Sequence, residues 1–181
     1  MEGVNPPKYT KAEVSQKFNL KKILGYDPTE EQKQLFYELV VDRIVTRTTD
    51  GKDIEGKKFT KYSEQYAEKK GVSRDSVDLV LNGDMLNSFE ESVERKNIIK
   101  VAVGEGVETL KSFNHNVGDT LPKRTYFGVI KDSELNSIKR EVDSLKTTRQ
   151  EQPQGQALTL ADIRAALNEL DITFEGFNGE G

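Results

Sequence analysis

The sequence contains no cysteine and only one histidine, His115. The absence of cysteine excludes disulfide bonds, thiolate metal sites and cysteine nucleophiles together. It fits an intracellular assembly environment, although an absence does not identify a compartment. With one histidine and no thiol, only carboxylates are left to build a metal site.

Long apolar runs are also missing. The first residues, MEGVNPPKYTKAEV, do not contain the hydrophobic stretch of a secretory signal. No run approaches the roughly 20 apolar residues that a membrane-spanning helix needs. We therefore expect a soluble protein without membrane contact. Its 181 residues, of which 34% are hydrophobic, suffice for one domain with extensions.

The net charge of −4 is distributed unevenly along the chain. Residues 151–181 contain one arginine and six acidic residues, a net charge of −5, so the rest of the chain sums to about +1. Such an acidic end is either a solvated tail or an arm that docks on a basic surface, for instance that of a neighbouring copy.

Four helices are predicted ahead of the C-terminal arm, three of them from apolar residues at helical spacing and the one over 61–70 from its stop at Gly71. The predicted helices cover residues 29–47, 61–70 and 106–116, and the segment DSELNSIKREVDSLKTTRQ that begins at residue 132. Asp27 or Thr29 is the expected N-cap of the first helix, and Asp132 or Ser133 that of the last. His115 falls at the end of the third.

Strand signals are shorter. The pattern predicts a hairpin in which FEESVERK is followed by NIIKVAV, with its turn at Lys96-Asn97. The β-branched run Val77–Leu81 and the segment Tyr126–Ile130 also have strand character, and the glycines of GEG at 104–106 indicate a tight strand-to-helix turn. These elements predict an α+β fold, a small antiparallel β-sheet packed by a long N-terminal helix and a C-terminal helix.

We divide the chain into an N-terminal extension over 1–26, a domain over 27–149, and a linker with a short helical arm over 150–181. The extension has few periodic apolar positions, and EQPQGQ resembles a polar linker. In the arm, Leu160, Ile163 and Leu167 form part of an apolar stripe that either folds back or packs on another subunit. We expect truncation after Gln150 to leave the domain folded.

The sequence gives only weak signals for a catalytic site or a metal site. His115 has Ser112 nearby but no nucleophile-elbow pattern, and a lone histidine at a helix end is more typical of a cap or an interface contact. Asp50, Asp53 and Glu55 lack the ligand order of a calcium loop, which favours a charged surface loop. We expect no catalytic site, no metal and no cofactor.

Two basic stretches have open interpretations. Lys123 and Arg124 precede Tyr126 and Phe127, a combination that occurs both in nucleic-acid sites and in protein interfaces. The loop that follows the first helix carries Lys52, Lys57, Lys58 and Lys61, but acidic residues alternate with them. A nucleic-acid-binding accessory protein is therefore the alternative to a protein that works through interfaces.

The order of motifs carries a resemblance. A long helix is followed by DGKDIEGKKFTKYSEQYAEKKG, VDLVLNGDMLNSF, VAVGEG, FNHNVG, LPKRTYFG and a closing helix. This order resembles the phage virion-morphogenesis proteins, also called the tail-completion or head–tail joining family, over residues 29–146. The residues that carry the resemblance are Gly51, Gly56, Phe59, Leu81, Gly83, Leu86, His115, Gly118, Pro122, Arg124, Phe127 and Gly128. The arm over 151–181 has no counterpart in the family pattern.

The resemblance implies a structural virion protein and not an enzyme. It implies a ring of identical subunits, expected to be a hexamer, between the portal side of the head and the tail. The implied partners are portal, adaptor, tail-tube or terminator proteins, with non-specific contact to DNA in the lumen. The implied location is the virion neck, after assembly in the host cytoplasm. Mixed surface charge fits head-to-tail contacts between subunits.

Candidate interface or lumen residues follow from the basic stretches and the arm. They are Lys52, Lys57, Lys58, Lys61, His115, Lys123, Arg124, Tyr126, Phe127, Leu160, Ile163 and Leu167. Within the fold, we expect His115 to bond to the backbone of the turn at Gly118 and Arg124 to reach a carboxylate.

Overall fold

The structure is a computed structural model that describes residue 9 and residues 11–79, 84–118, 121–145 and 172–177. Its elements, in chain order, are β1 (Lys11–Asn19), α1 (Leu20–Leu24), α2 (Glu30–Thr49), α3 (Glu64–Lys70), β2 (Phe89–Arg95), β3 (Ile98–Val103), α4 (Val107–Val117), α5 (Asp132–Ser144) and β4 (Ile172–Phe177). The predicted α+β class is confirmed, and so are the predicted helices within these bounds and the hairpin of β2 and β3.

The four strands form one antiparallel sheet in the order β2-β3-β1-β4. Strand β1 lies between β3 and β4, with Gln16 opposite Val101 on one side and Ile172 on the other. The sequence analysis placed residues 11–24 in an extension, whereas the structure places them in the sheet and in α1. The strand was missed because Gln16, a polar residue, interrupts the apolar alternation of Val14 and Phe18 although all three are fully buried.

The C-terminal end also differs from the expectation. Residues 172–177 form β4, which pairs with β1 from Gln16 to Lys11 and makes one edge of the sheet. An expected helical arm is therefore followed by a strand of the domain, and truncation after Gln150 would remove that strand. The arm's stripe residues Leu160, Ile163 and Leu167 lie outside the described residues.

Helix α2 covers one face of the sheet. Thr29 is its N-cap, and Thr29 and Gln32 exchange hydrogen bonds in a capping box, with Gln32 N–H to Thr29 Oγ1 at 3.2 Å. Phe36, Val40 and Ile44 repeat every four residues and are fully buried. Burial of each such side chain stabilises the fold by roughly 1.5–3 kcal/mol.

Helix α5 packs on α2 and closes the core. Leu135, Ile138 and Val142 form its buried stripe. The predicted caps Asp132 and Ser133 are wrong: the helix begins after Lys131, without a side-chain cap. Since α5 packs against α2 through an apolar stripe, tertiary contact replaces the cap as its source of stability.

The other face of the sheet is polar. Along β1 and β3 the residues that point away from the core form cross-strand ion pairs, Lys100 with Glu13 at 2.7 Å and, across to β2, Lys17 with Glu94 at 3.0 Å. An antiparallel sheet with one packed and one polar face is common.

Candidate assembly site

The segment Arg124–Val129 is buried except for the half-buried Thr125, yet it joins no sheet. The sequence analysis predicted a strand at Tyr126–Ile130, and this prediction is wrong. The sequence pattern of apolar and β-branched residues is the same whether the backbone hydrogen bonds go to a neighbouring strand or to side chains. Here side chains from three other elements do so, and we call residues 124–129 the buried segment.

Two amides hold the buried segment in place. The Asn116 Oδ1 atom, in α4, accepts hydrogen bonds from the backbone N–H groups of Tyr126 at 3.0 Å and Phe127 at 3.1 Å. The Gln16 side chain, in β1, donates to the carbonyl of Val129 at 3.0 Å and accepts from its N–H at 2.9 Å. Both amides are buried, so they replace the ladder bonds of a neighbouring strand.

An arginine supplies the third contact. Arg47, in the last turn of α2, donates through Nη2 to the carbonyls of Tyr126 at 2.8 Å and Gly128 at 2.6 Å. Its Nη1 lies 3.1 Å from both carboxylate oxygens of Glu134 in α5. The guanidinium therefore joins α2, α5 and the buried segment. Sequence reasoning missed Gln16, Arg47 and Asn116, because a polar residue that bonds inside a core looks like any surface residue.

Tyr126 and Phe127 were expected at an interface, but both are fully buried. The Tyr126 hydroxyl donates to Ser112 Oγ at 2.7 Å, and burial raises the pKa of Tyr126. These two aromatics are part of the core and do not reach a partner in this fold. Ser112 is itself fully buried, so its hydroxyl is not exposed to a substrate.

Arg124 was expected to reach a carboxylate and instead bonds to backbone carbonyls. It donates to Thr60 O from Nε at 3.1 Å and from Nη2 at 3.0 Å. Its guanidinium carbon lies 5.2 Å from the centre of the Tyr62 ring, a cation–π distance. Arg124 thereby fastens the lysine loop, residues 50–62, to the start of the buried segment.

His115 contacts Arg124 through its backbone. The Arg124 N–H donates to the His115 carbonyl at 2.7 Å, whereas the His115 Nδ1 atom is buried without a hydrogen-bond partner. The expected bond from its side chain to the turn is therefore not formed by this atom. Burial, and next the charge of Arg124, lower the pKa of His115 to about 4. The imidazole is uncharged at neutral pH.

Gly118 makes the turn between α4 and the loop that leads to Arg124. Its φ of +78° lies in the left-handed region, and it is the C-cap of α4. A Cβ atom at this position would lie 2.5 Å from Lys123 Cβ. The turn therefore needs glycine both for its backbone conformation and for the close approach of Lys123.

The four lysines of the lysine loop are exposed, and three of them form ion pairs. Lys52 lies 3.2 Å from Asp50, Lys57 lies 2.5 Å from Glu55, and Lys61 lies 2.8 Å from Asp75. Lys58 and Lys123 are exposed as well. The surface is rich in lysine, but neighbouring carboxylates compensate much of its charge.

Arg124 lines two clefts. One, of about 410 Å³, lies between the lysine loop and Lys123 to Thr125. The other, of about 370 Å³, lies between α3, α4 and the loop before Arg124, and we call it the tyrosine cleft. Its lining residues are Tyr62, Ser63, Tyr66, Leu79, Asp84, Met85, Glu108, Lys111, His115, Leu121, Pro122 and Arg124.

Several residues that carry the family resemblance meet at this place. Phe59 N–H donates to the Gly51 carbonyl at 2.8 Å, which closes the lysine loop on itself. Ile54 N–H then donates to Thr125 O at 2.8 Å, and a Cβ at Gly128 would lie 3.1 Å from Ile54 Cδ1. Residues far apart in the sequence thus form one joint. Leu81 and Gly83 lie outside the described residues.

Within the part of the chain that the structure describes, no three histidine, cysteine or acidic residues are grouped so that they could hold a metal ion. Among the same residues, no helix combines the length and the apolar character that a membrane span requires. Comparison with family models, curated proteins and solved structures finds no match to this chain.

Proposed function

We propose that this chain is a structural protein of a bacteriophage neck, which assembles with copies of itself into a ring. The ring joins the portal side of the head to the tail, or completes the tail. A hexamer is the proposed copy number, and portal, adaptor, tail-tube or terminator proteins are the proposed neighbours. The ordered motifs of the sequence suggest this function, and the structure contributes one supporting observation.

That observation is the joint between the lysine loop and the buried segment. Two polar residues of the motifs, Arg124 and His115, form hydrogen bonds inside the fold. The Arg124 guanidinium donates to the Thr60 carbonyl, and the Arg124 backbone N–H donates to the His115 carbonyl. In this proposal the joint holds the lysine loop in a fixed position, so that the loop can contact a neighbouring protein. In this proposal the mechanism is geometric, since fixed loops engage adjacent rings while the lumen passes DNA.

The same contacts argue against catalysis by His115 and Ser112. The His115 imidazole is uncharged at neutral pH, with a pKa lowered to about 4, and the hydroxyl of nearby Ser112 is buried and accepts a hydrogen bond from Tyr126. A general base works best with a pKa near the operating pH. We therefore propose that replacement of His115 changes the stability of the fold and does not abolish an enzymatic activity.

A nucleic-acid-binding accessory protein is the second candidate, and the exposed lysines favour it. Phosphate contacts by free lysines give an affinity that falls steeply with salt. Because Lys52, Lys57 and Lys61 already face carboxylates, we expect only weak binding. A gel shift at low and high salt distinguishes the two candidates: tight, salt-dependent binding by the isolated chain would favour the accessory protein.

The test of the neck function is genetic. The gene is deleted from the virus or prophage that carries it, and the lysate is examined by electron microscopy. We expect heads and tails that remain separate, and joined particles after complementation with the intact gene. Complete virions without the protein would overturn the proposal. The mass of the purified chain in solution tests ring formation separately, with and without the neighbouring neck proteins.

A further inference from the structure

The tyrosine cleft has the size and the wall composition of a binding site. Its volume of about 370 Å³ falls in the usual range of ligand pockets. The apolar side chains of Leu79, Met85, Leu121 and Pro122 line it, and Tyr66 adds an aromatic ring that is 38% exposed. Large apolar side chains that stay exposed around a concave surface often mark an interaction site.

The backbone of the wall is strained at one position. Leu79 has a φ of +54°, in the left-handed region, and in the part of the chain that the structure describes it is the only residue other than glycine with a positive φ. A bulky side chain makes this conformation unfavourable. Strain of this kind tends to persist at ligand sites, where the surrounding structure holds it in place.

The charges of the wall cancel. Asp84 and Glu108 are its carboxylates, Lys111 and Arg124 are its cations, and the imidazole of His115 is uncharged at neutral pH. An ion of either sign would face two groups of its own sign as well as two of the opposite sign. A neutral occupant also avoids the loss of hydration that an ion suffers in an apolar cleft. The wall therefore favours an occupant without net charge.

The hydrogen-bonding capacity that is buried and unused in this wall is that of an acceptor. Glu108 Oε1 accepts from Lys111 Nζ at 2.6 Å, whereas Glu108 Oε2 is buried and has no hydrogen-bond partner among the described residues. The terminal torsion of a glutamate is soft, so its rotation can turn Oε2 toward the cleft. A donor that enters the cleft would then form a hydrogen bond to a charged acceptor, which is stronger than a bond between neutral groups.

A tryptophan side chain combines these properties. Its indole ring is flat, apolar and uncharged, and its N–H group donates one hydrogen bond and accepts none. A phenylalanine ring has no donor at all. Tryptophan is also enriched among the residues that dominate the affinity of protein interfaces. Since the chain contains no tryptophan, such an occupant comes from a different protein.

We propose that the tyrosine cleft binds a tryptophan side chain of a partner protein, with the indole ring against Tyr66 and its N–H group donating to Glu108 Oε2. A single tryptophan in a fitted pocket can carry a large part of the affinity of an interface. The proposal rests on the wall of the cleft and not on the neck function proposed above. It assigns the cleft to a partner other than a second copy of this chain.

The only histidine of the chain makes the proposal testable by NMR spectroscopy. His115 lies in the wall of the cleft, so the resonances of its ring protons report on an aromatic ring that binds there. The probe is N-acetyltryptophanamide, a neutral model of the residue within a protein. We expect a saturable shift with a Kd of about 1 mM, an affinity that a ligand of this size can reach in a pocket. No shift, or a shift that does not saturate, would overturn the proposal.

A methylated probe tests the hydrogen bond. N-acetyl-1-methyltryptophanamide keeps the aromatic ring and carries a methyl group in place of the indole N–H hydrogen. It should bind at least about tenfold more weakly, because the carboxylate oxygen that faces it has no donor. N-acetylphenylalaninamide, which also lacks the donor, should bind more weakly as well. Equal affinities of the two tryptophan probes would show a purely apolar contact and overturn the proposal.

The variant Glu108→Leu tests which residue accepts. It should bind the two tryptophan probes about equally, since neither can then donate to a carboxylate at this position. Glu105→Leu is the matched control: Glu105 is exposed, lies just before α4 and does not line the cleft, so the preference should persist. Circular dichroism verifies that both variants are folded, and the comparison of probes on the parent chain decides alone if Glu108→Leu is not. A preference that persists in folded Glu108→Leu would contradict the proposed contact.

Fluorescence provides an independent measurement, because the chain has no tryptophan of its own. Light that excites indole and not tyrosine therefore reports on the probe alone. The emission of N-acetyltryptophanamide should shift to shorter wavelength as the chain is added, since the ring leaves water for an apolar wall. Emission that stays at the wavelength of the free probe at saturation would contradict binding inside the cleft.

Discussion

At the scale of single residues, polar side chains inside the core determine how the joint is built. Asn116 alone accepts from two consecutive backbone N–H groups, those of Tyr126 and Phe127. Gln16 does the equivalent for both polar groups of Val129. A buried donor without a partner destabilises a protein by about 1–3 kcal/mol, so each of these two amides makes a large contribution to the stability of the fold.

Replacing Asn116 with alanine should therefore lower the free energy of unfolding by about 3 kcal/mol, since two buried N–H groups lose their acceptor. Urea unfolding followed by circular dichroism measures the change. Asn87→Ala is the matched control: Asn87 is exposed, and substitution there should change the free energy of unfolding by less than about 0.5 kcal/mol. Equal losses in both variants would show that Asn116 does not have this role.

His115 should make the fold sensitive to mild acid. Its pKa falls from 6.5 to about 4 on folding, so between these values the unfolded chain binds a proton that the native chain does not bind. The free energy of unfolding should then decrease as the pH falls from 6.5 to 4, by up to about 3 kcal/mol. As the pH rises above 6.5 the contribution is fully present.

The variant His115→Gln separates this effect from the titration of carboxylates. In the parent, Glu13, Asp27 and Asp75 have pKa values lowered by hydrogen bonds or ion pairs with Lys100, Asn97 and Lys61, so protonation of these carboxylates in acid also destabilises the fold. The variant should lack only the decrease between pH 6.5 and 4.5. The ring proton resonance of the only histidine reports the pKa directly, and a midpoint near 6.5 would contradict the structure.

At the scale of elements, the contributions of the α2 N-cap and of the edge strand β4 to the free energy of unfolding can be measured. Thr29→Ala removes the capping box and should lower the free energy of unfolding by about 1 kcal/mol. Ser133→Ala is the control, because Ser133 has the sequence position of a cap in α5 but makes no cap. Its substitution should change the free energy of unfolding by less than about 0.5 kcal/mol. Thermal and urea unfolding measure both.

Truncation after Gln150 removes strand β4 and should destabilise the domain by at least about 3 kcal/mol, because β1 loses its hydrogen bonds to β4 and Phe174 and Ile172 no longer pack. Urea unfolding tests this expectation. Serine substitutions of Leu160, Ile163 and Leu167 keep the strand. If the stripe docks on a neighbour, these substitutions should weaken assembly while leaving the sheet intact.

The elements that the sequence predicts well are those whose signal is local. Helix α2 has its cap, its apolar spacing and its stop within the helix itself, and the hairpin of β2 and β3 has its turn at Lys96-Asn97. Strand β1 was missed because buried Gln16 pairs with Val129, more than 100 residues away. The buried segment was taken for a strand because its side chains are strand-like, while its hydrogen-bond partners are distant side chains. Partners far apart in sequence leave no periodic signal.

At the scale of the whole molecule, the exposed lysine loop is the surface most easily tested for assembly. Reversing Lys52, Lys57, Lys58 and Lys61 to glutamate should leave the fold intact, because ion pairs on an exposed surface contribute little to stability. If the loop faces DNA or an adjoining ring, the variant should fail to complete particles or to retain DNA. Reversal of Lys17, Lys21, Lys22 and Lys96 makes the same change of charge elsewhere. Normal particles from the loop variant would exclude this role.

The pairing of the first and last strands has a mechanical consequence. Lys11 of β1 lies opposite Phe177 of β4, so the outer ends of both strands leave the sheet at the same corner. Tension applied to the two ends would separate the strands from that corner inward, breaking one hydrogen bond after another instead of loading all of them at once. Under pulling, β4 should therefore peel away at low force while the hairpin of β2 and β3 and the helices stay folded.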